Sequence, residues 1–257
     1  MKILVMMKQV GSKDAILRIN REATWIETAD LSFEVNESDG YALEEGLRLK
    51  EKHGGEVVVC SMGPQRVKSV IKDALARGAD RAIHVVLDDA SQLSPYSAAA
   101  ILAESVRAEE ADLILTGLQS DDSGYGQTGV IMAELLGLPH ATIVIEVDAS
   151  GEKLRVKREL ESGWYQWYAM STPALLTIQS GISQIRYASL KGIMAAKKKE
   201  IKEVTPAAEA TGRAPHQRID KIYLPEKTKQ TQFLGGGDAK AGAVALAEKL
   251  HTEARII

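Results

Sequence analysis

The chain carries 257 residues, with 32 Lys and Arg against 35 Asp and Glu and a formal charge of −3 at pH 7. So balanced a charge argues against general nucleic-acid binding, which needs a basic face. Cys60 is the only cysteine, which excludes an intrachain disulfide and a four-cysteine zinc site. One large domain, or one domain with an arm, is expected at this length. No apolar run approaches a membrane span, and the opening run Ile3 to Met7 reads as a strand rather than a cleavable signal. A cytoplasmic protein without membrane insertion is therefore expected, or a matrix protein if the source were eukaryotic.

Over the first 150 residues, apolar strands alternate with amphipathic helices. Strands are expected at 2–9, 56–62, 81–87, 112–117 and 141–147, all rich in Val, Ile and Leu, as in a parallel sheet covered on both faces. A helix over 38–53 ends at Gly54-Gly55. A second starts at Pro64, carries Val67, Val70, Ile71, Ala74 and Leu75 on one face, and stops at Gly78. A third fills about 97–110, and a fourth runs from Thr128 to Gly137. Strands separated by helices imply crossover connections and a doubly wound α/β domain.

The pattern changes after Gly151. Leu154 to Arg158 alternates like a half-exposed strand, Trp164 to Tyr168 follows Gly163, and Ala174 to Ile178 follows Pro173. These are read as an antiparallel extension of the sheet, with Trp164 to Tyr168 packing as an ordinary alternating strand. Residues 202–237 show little periodicity and read as an extended arm, followed by a helix over about 238–252. With so little core of its own, the arm is expected to be loose or to lie on another subunit.

Residues 117–129, GLQSDDSGYGQTG, join a strand to a helix on the edge of an open sheet where ligands bind. Gly124, Gly126 and Gly129 permit close backbone approach, while Gln127 and Thr128 stand at a helix start suited to a phosphate. Asp121 and Asp122 can accept from ribose or adenine, or can cap and turn. The loop lacks the Walker lysine and the G-x-G-x-x-G spacing. Asn36 to Asp39 occupies an equivalent strand-to-helix entrance, where N-capping by Asn36 or Ser38 accounts for the residue types. Met62-Gly63-Pro64 marks a third such entrance, and Met6 and Met7 read as core.

Catalytic constellations are missing. The five histidines, His53, His84, His140, His216 and His251, lack metal-ligand spacing, Cys60 sits inside a Val-rich strand, and no G-x-S-x-G elbow occurs. Nucleotide binding without acid–base groups points to a carrier or scaffold rather than an enzyme. Residues 186–201, RYASLKGIMAAKKKEI, set Leu190 beside a short helix closed by Lys197, Lys198 and Lys199. Such a run suits a helix C-terminus and equally a docking surface with apolar anchors and steering charges.

These motifs, in order, resemble the β subunit of electron transfer flavoprotein over almost the whole chain. The resemblance rests on Lys2 to Val10, Asn36-x-x-Asp39 followed by Leu43 to Lys50, Gly63-Pro64, and Ala74 to Arg81. It continues through Gln127-Thr128-Gly129 and through Arg186 to Leu190 with Ile193, Met194 and Ala196 to Lys199. It implies a Rossmann-like, adenine-nucleotide-binding domain over 1–201, including a recognition loop at 183–201. It further implies a C-terminal arm and helix over 202–257 packing on an α subunit that holds the redox-active FAD. The family's AMP contacts map onto Met6, onto Asn36, Glu37, Ser38 and Asp39, and onto Met62. They also map onto Asp122, Ser123, Gly124, Tyr125 and Gly126, and onto Gln127, Thr128, Gly129, Val130 and Ile131. Leu190, Ile193 and Met194, with the three lysines, correspond to a segment that docks on acyl-CoA dehydrogenases. The electrons then pass to a quinone-linked oxidoreductase.

Two departures bear on docking. Ser183-Gln184-Ile185 stands where many relatives have Asn-Glu-Pro, and Lys191-Gly192 replaces a proline-containing pair. Gly192 is expected to loosen the loop. Two competing functions remain: a bifurcating variant with FAD in the β site, disfavoured by the retained Gln-Thr-Gly and by Tyr125, and a homodimeric nucleotide sensor without redox partners.

Overall fold

The computed structural model describes residues 1–90, 93–207, 217–226 and 231–257. They form two compact units, Met1–Ile222 and Tyr223–Ile257. The first contains β1 (Lys2–Met6), β2 (Gln9–Gly11), β3 (Phe33–Val35), α1 (Glu37–His53), β4 (Glu56–Gly63), α2 (Lys68–Arg77), β5 (Arg81–Val86) and α3 (Pro95–Val106). It continues with β6 (Leu113–Gly117), α4 (Thr128–Leu136), β7 (His140–Asp148), β8 (Leu154–Glu159), β9 (Tyr165–Met170), β10 (Ala174–Ile178), α5 (Leu190–Ala196) and β11 (Ile201–Val204).

Nine strands make one sheet in the order β11-β5-β4-β1-β6-β10-β7-β8-β9. All neighbours from β11 to β7 are parallel, and β8 and β9 extend the sheet antiparallel. The mostly parallel α/β architecture expected from the alternating pattern is therefore present. Period-two alternation sorts β1 into the two layers. Ile3 and Val5 join the cluster containing Leu43, Leu47 and Leu75 of α1 and α2, while Leu4 and Met6 join that of Ile101 and Met132 of α3 and α4.

Four details differ from the sequence expectation. The strand expected over 2–9 breaks after Met6. Met7 still donates its N–H to Cys60 O at 2.8 Å, but the Lys8 N–H leaves the ladder for the Asp39 carboxylate at 2.7 Å. β2 then pairs with β3 in a separate antiparallel ribbon, Gln9 opposite Val35. Second, β10 is not part of the antiparallel extension. All five of its residues are buried, and it inserts between β6 and β7, parallel to both; a continuous apolar run suits that central position.

Third, residues 202–204, read as the start of the arm, belong with Ile201 to the edge strand β11, Ile201 standing opposite Ala82. Four residues are too few for periodicity to reveal a strand whose partner lies over a hundred residues away. Fourth, ordinary alternating packing holds for β8, where Leu154 and Val156 are buried, but only weakly for β9. Tyr168 and Met170 pack against the core, whereas Trp164, Tyr165 and Trp167 are exposed. Arg155 stacks 5.0 Å from the Trp167 ring centroid and Lys157 4.5 Å from that of Tyr165.

The second unit contains α6 (Ala239–Lys249), preceded by Gly235–Gly237 and continued by Leu250–Ala254. Asp238 caps α6 by accepting the Lys240 N–H at 2.9 Å. Phe233, Val244 and Leu246 are exposed. Residues 208–216, including His216, and 227–230 of the expected arm lie outside the described residues. Among the described residues, no helix is long and apolar enough to cross a membrane.

The placement of β10 gives a direct test. Leu176→Ala in its fully buried centre should lower unfolding free energy by about 2–5 kcal/mol in urea titrations. Trp167→Ala on the exposed edge should cost about 1 kcal/mol or less.

Candidate functional site

The strand order reverses between β1 and β6, and at the carboxyl ends of the strands around this switch point lies a cavity of about 800 Å³. Its floor is built by one buried carboxylate. Asp39 Oδ2 accepts the Lys8 N–H at 2.7 Å and Oδ1 accepts the Gly117 N–H at 2.9 Å, joining the exits of β1 and β6. Gly117 has to be glycine, because a Cβ there would stand 2.4 Å from Asp39 Oδ1 and 2.2 Å from Ser38 Oγ. Burial raises the Asp39 pKa to about 7, against the opposing pull of the Lys8 and Gly117 amides.

Asn36 occupies the N-cap position of α1 but makes no side-chain cap. Its Nδ2 donates to Gln119 O at 2.9 Å and its Oδ1 accepts the Asp121 N–H at 2.8 Å. Ser38 Oγ donates to the same Gln119 carbonyl at 2.7 Å. The local-capping expectation is thus corrected: Asp121 caps α1 from across the loop, its Oδ2 accepting the Glu37 N–H at 3.0 Å. Both aspartates of the loop are engaged in protein contacts, since Asp122 pairs with Lys8 Nζ at 2.7 Å. Burial opposes ionisation of Asp122, but the Lys8 ammonium together with hydrogen bonds from Ser120 and the Ser123 amide holds the carboxyl below its usual range.

The loop glycines divide by role. Gly124 and Gly126 adopt φ of +62° and +63°, the left-handed region that shapes the turn. Gly129 instead lets α4 approach the sheet, since a Cβ there would lie 2.7 Å from Thr116 Oγ1 and 2.9 Å from Thr177 Cγ2. No side chain caps the first turn of α4, whose start at Thr128 and Gly129 lines the cavity. Open amides of this kind, with the helix dipole behind them, favour an anion. Gln9 also lines the cavity, and its buried Oε1 has no partner, leaving an acceptor for a ligand N–H or O–H.

Of the expected contacts, Met6, Asn36, Asp39 and Met62 line the cavity, as do Asp122, Ser123, Tyr125, Gly126, Gln127, Thr128 and Gly129. Glu37, Ser38, Gly124, Val130 and Ile131 are not among the lining residues. Glu37 pairs with Lys13, Ser38 anchors the loop, and Ile131 packs into the core under α4. Sequence reasoning missed Lys8, Gln9, Trp25, Phe33 and Arg66, which line the same space. Arg66 lies 4.5 Å from the Phe33 ring centroid. Trp25 sits on the excursion between β2 and β3 and Phe33 opens β3 at its end, a stretch whose lack of periodicity carried no signal.

Cys60 lines the cavity but is fully buried, and burial pushes its thiol up to about 12, leaving it protonated at neutral pH. Among the described residues no group of three His, Cys, Asp or Glu could hold a metal.

A second surface lies on α5. Ser189 caps it, its Oγ accepting the Gly192 N–H at 3.0 Å, and Leu190, Ile193 and Met194 are 84 %, 45 % and 64 % exposed. Tyr187, not singled out from sequence, is 94 % exposed beside them. Lys197 and Lys198 are exposed. Lys199 is not free: its Nζ donates to Leu75 O at 2.9 Å and to Ala79 O, closing the end of α2. Burial lowers its pKa. Gly192 does not loosen the segment, because a Cβ there would lie 2.1 Å from Ala76 O; its role is close contact between α5 and α2.

An electron transfer flavoprotein domain profile matches residues 24–209. The chain belongs to the electron transfer flavoprotein β-subunit family. It is 37% identical over 245 residues to electron transfer flavoprotein subunit beta of Methylophilus methylotrophus, covering 91% of this chain and 93% of that one. The mitochondrial subunit beta of Oryza sativa subsp. japonica is 35% identical over 260 residues, covering 100% of both chains. The Homo sapiens subunit beta is 36% identical over 209 residues, covering 80% of this chain and 82% of its own.

The Asp39 strut has a pH signature. Its folded pKa, about 7, lies above the ordinary 3.8. Its stability contribution is therefore fully present below the unfolded pKa and is lost as pH rises through 7. Melting temperatures of wild type minus Asp39→Asn should increase as pH falls from 8 to 4; a difference independent of pH would reject the buried carboxylate as its source.

Proposed function

We propose that this chain is the β subunit of a heterodimeric, cytoplasmic electron transfer flavoprotein. In this reading it holds AMP in the switch-point cavity as a structural ligand. It supports an α subunit whose FAD carries electrons from acyl-CoA dehydrogenase-type donors to a quinone-linked oxidoreductase. The observation that carries the nucleotide assignment is the uncapped start of α4 facing the cavity. The amides of Thr128 and Gly129 would receive the phosphate, at the end of the sheet where Lys8 pairs with Asp122. The unpartnered Gln9 Oε1 suits a base or ribose donor. The FAD of the complex would supply the redox chemistry, while this chain's groups bind, orient and dock.

Trp164, Tyr165 and Trp167 and the exposed apolar side chains of the second unit are the surfaces we assign to the α subunit, since exposed aromatic side chains are enriched at interfaces. Tyr187, Leu190, Ile193 and Met194 form the donor-docking surface. Lys197 and Lys198 act at its rim, where charge governs association rate and is screened by salt.

The cavity also supports a second reading. At about 800 Å³ it extends past the α4 start to Trp25, Phe33 and Arg66, toward the upper part of the range that small-molecule sites span, about 300–1,000 Å³. A flavin dinucleotide could place its ring system in that aromatic annex. Denaturing the purified heterodimer and counting released nucleotides separates the readings. One FAD and one AMP per heterodimer is expected; two FAD and no AMP would establish the dinucleotide, and a chain isolated as an ATP-binding homodimer would overturn the carrier assignment.

Docking makes its own prediction. Leu190→Ala should raise the apparent KM for a substrate-reduced acyl-CoA dehydrogenase by about tenfold or more, the loss expected for an interface anchor. Heterodimer yield and nucleotide content should be unchanged. Unaltered reduction kinetics at subsaturating dehydrogenase would remove Leu190 from the docking surface.

A further inference from the structure

We propose that Arg186 and Lys199 are positioning residues that hold the docking segment in its docking-competent shape by fastening its two ends to different helices. The inference rests on the docking role assigned above to Leu190 and its neighbours.

At the leading end, Arg186 grips α1. Glu44 accepts the Arg186 backbone N–H at 3.1 Å and both Nε and NH2 at 2.9 Å, and Glu51, two turns further along the same helix face, accepts from NH1 and NH2. Glu44 is buried, so this ion pair is shielded from water in a way that rim lysines are not. The Arg186 hydrogen bonds hold the Glu51 carboxyl below its usual range. Ile185 lies against the same helix, its Cδ1 3.3 Å from where a Cβ of Gly40 would stand.

At the trailing end, Lys199 donates to the carbonyls of Leu75 and Ala79 at the end of α2. Between the two fastenings, Gly192 rests on the Ala76 carbonyl and Ala196 is buried. Side chains in this stretch therefore face one of two ways. Gly192 and Ala196 face α2 and the core, while Tyr187, Leu190, Ile193 and Met194 face solvent. Large apolar groups that exposed would ordinarily collapse onto the nearest apolar surface. The two fastenings and the Ser189 cap prevent that collapse. An anchor already ordered avoids part of the entropy cost of binding.

A lysine at 186 would keep the charge but not the planar fork that serves both carboxylates. That difference separates positioning from simple steering. Full-length chain, co-expressed with its flavin-carrying partner subunit, is compared as wild type, Arg186→Gln, Arg186→Lys, Glu51→Gln and Leu190→Ala. Amide exchange over 187–195 should quicken about tenfold or more in Arg186→Gln, while the β1, β6 and β10 amides keep their protection. Its apparent KM for a substrate-reduced acyl-CoA dehydrogenase should rise about fivefold, with kcat and nucleotide content kept. Arg186→Lys should restore only part of either property. Glu51→Gln, which removes only the exposed half of the grip and leaves the buried pair intact, should shift both readouts in the same direction by less, and it serves if Arg186→Gln does not fold. Unchanged exchange over 187–195 would overturn the proposal, as would faster exchange with unchanged KM while Leu190→Ala raises KM. An unchanged KM in Leu190→Ala marks the failure of the docking reading itself and overturns the proposal with it.

Discussion

The structure depends on one carboxylate placed where the sheet divides. Beyond the carboxyl ends of β1 and β6 the chain turns away in different directions, and a crevice opens between them. Asp39 spans it, one oxygen on the Lys8 amide and the other on the Gly117 amide. The cost is visible in its elevated pKa. Burying a charge in this way is tolerated where hydrogen bonds compensate, and here they also fix the floor of the cavity. Gly117 is the steric counterpart of that arrangement, since any side chain would displace the carboxylate.

From Asp39 the constraint passes along α1. Its first turn, through Asn36 and Ser38, orders the loop that leads to α4, and Asp121 of that loop returns to cap α1. Further along, Glu44 and Glu51 receive Arg186. A single helix thus borders the cavity with one end and secures the α5 segment with its other turns. The sheet's two edges contrast with this centre. β11 is a short, charge-bearing strand, a form that discourages unwanted pairing, whereas β9 presents uncharged Tyr165, Gln166 and Trp167. Cationic side chains from β8 stack on its rings and cover part of that apolar area without burying it.

Much of the cavity's lining was legible in the sequence. Gly-rich loop 117–129, Asn36 to Asp39 and Met62-Gly63 each mark a strand-to-helix entrance, and parallel-sheet topology collects such entrances at one edge. Lys8, Trp25, Phe33 and Arg66 were not legible, because lone cations after a strand, an aromatic in an aperiodic excursion and another opening a three-residue strand carry no local signal. The roles within the loop were equally hidden. Asp121 and Asp122 read as ligand contacts or caps, and the sequence did not show which helix Asp121 caps or that Asp122, on the cavity wall, pairs with Lys8.

What the sequence by itself determined is the class of fold, the strand-to-helix alternation and the exposed Leu190 motif, because hydrophobic period, helix stops and glycine punctuation are local properties. Only the tertiary structure decided that β10 enters the middle of the sheet, that 201–204 is an edge strand, that Gly192 tightens rather than loosens, and that Lys199 is fastened to α2. Each of these depends on contact between residues more than thirty positions apart. No local pattern encodes a partner at that distance, since it is chosen by which apolar faces and unpaired carbonyls remain to be covered once the sheet has formed.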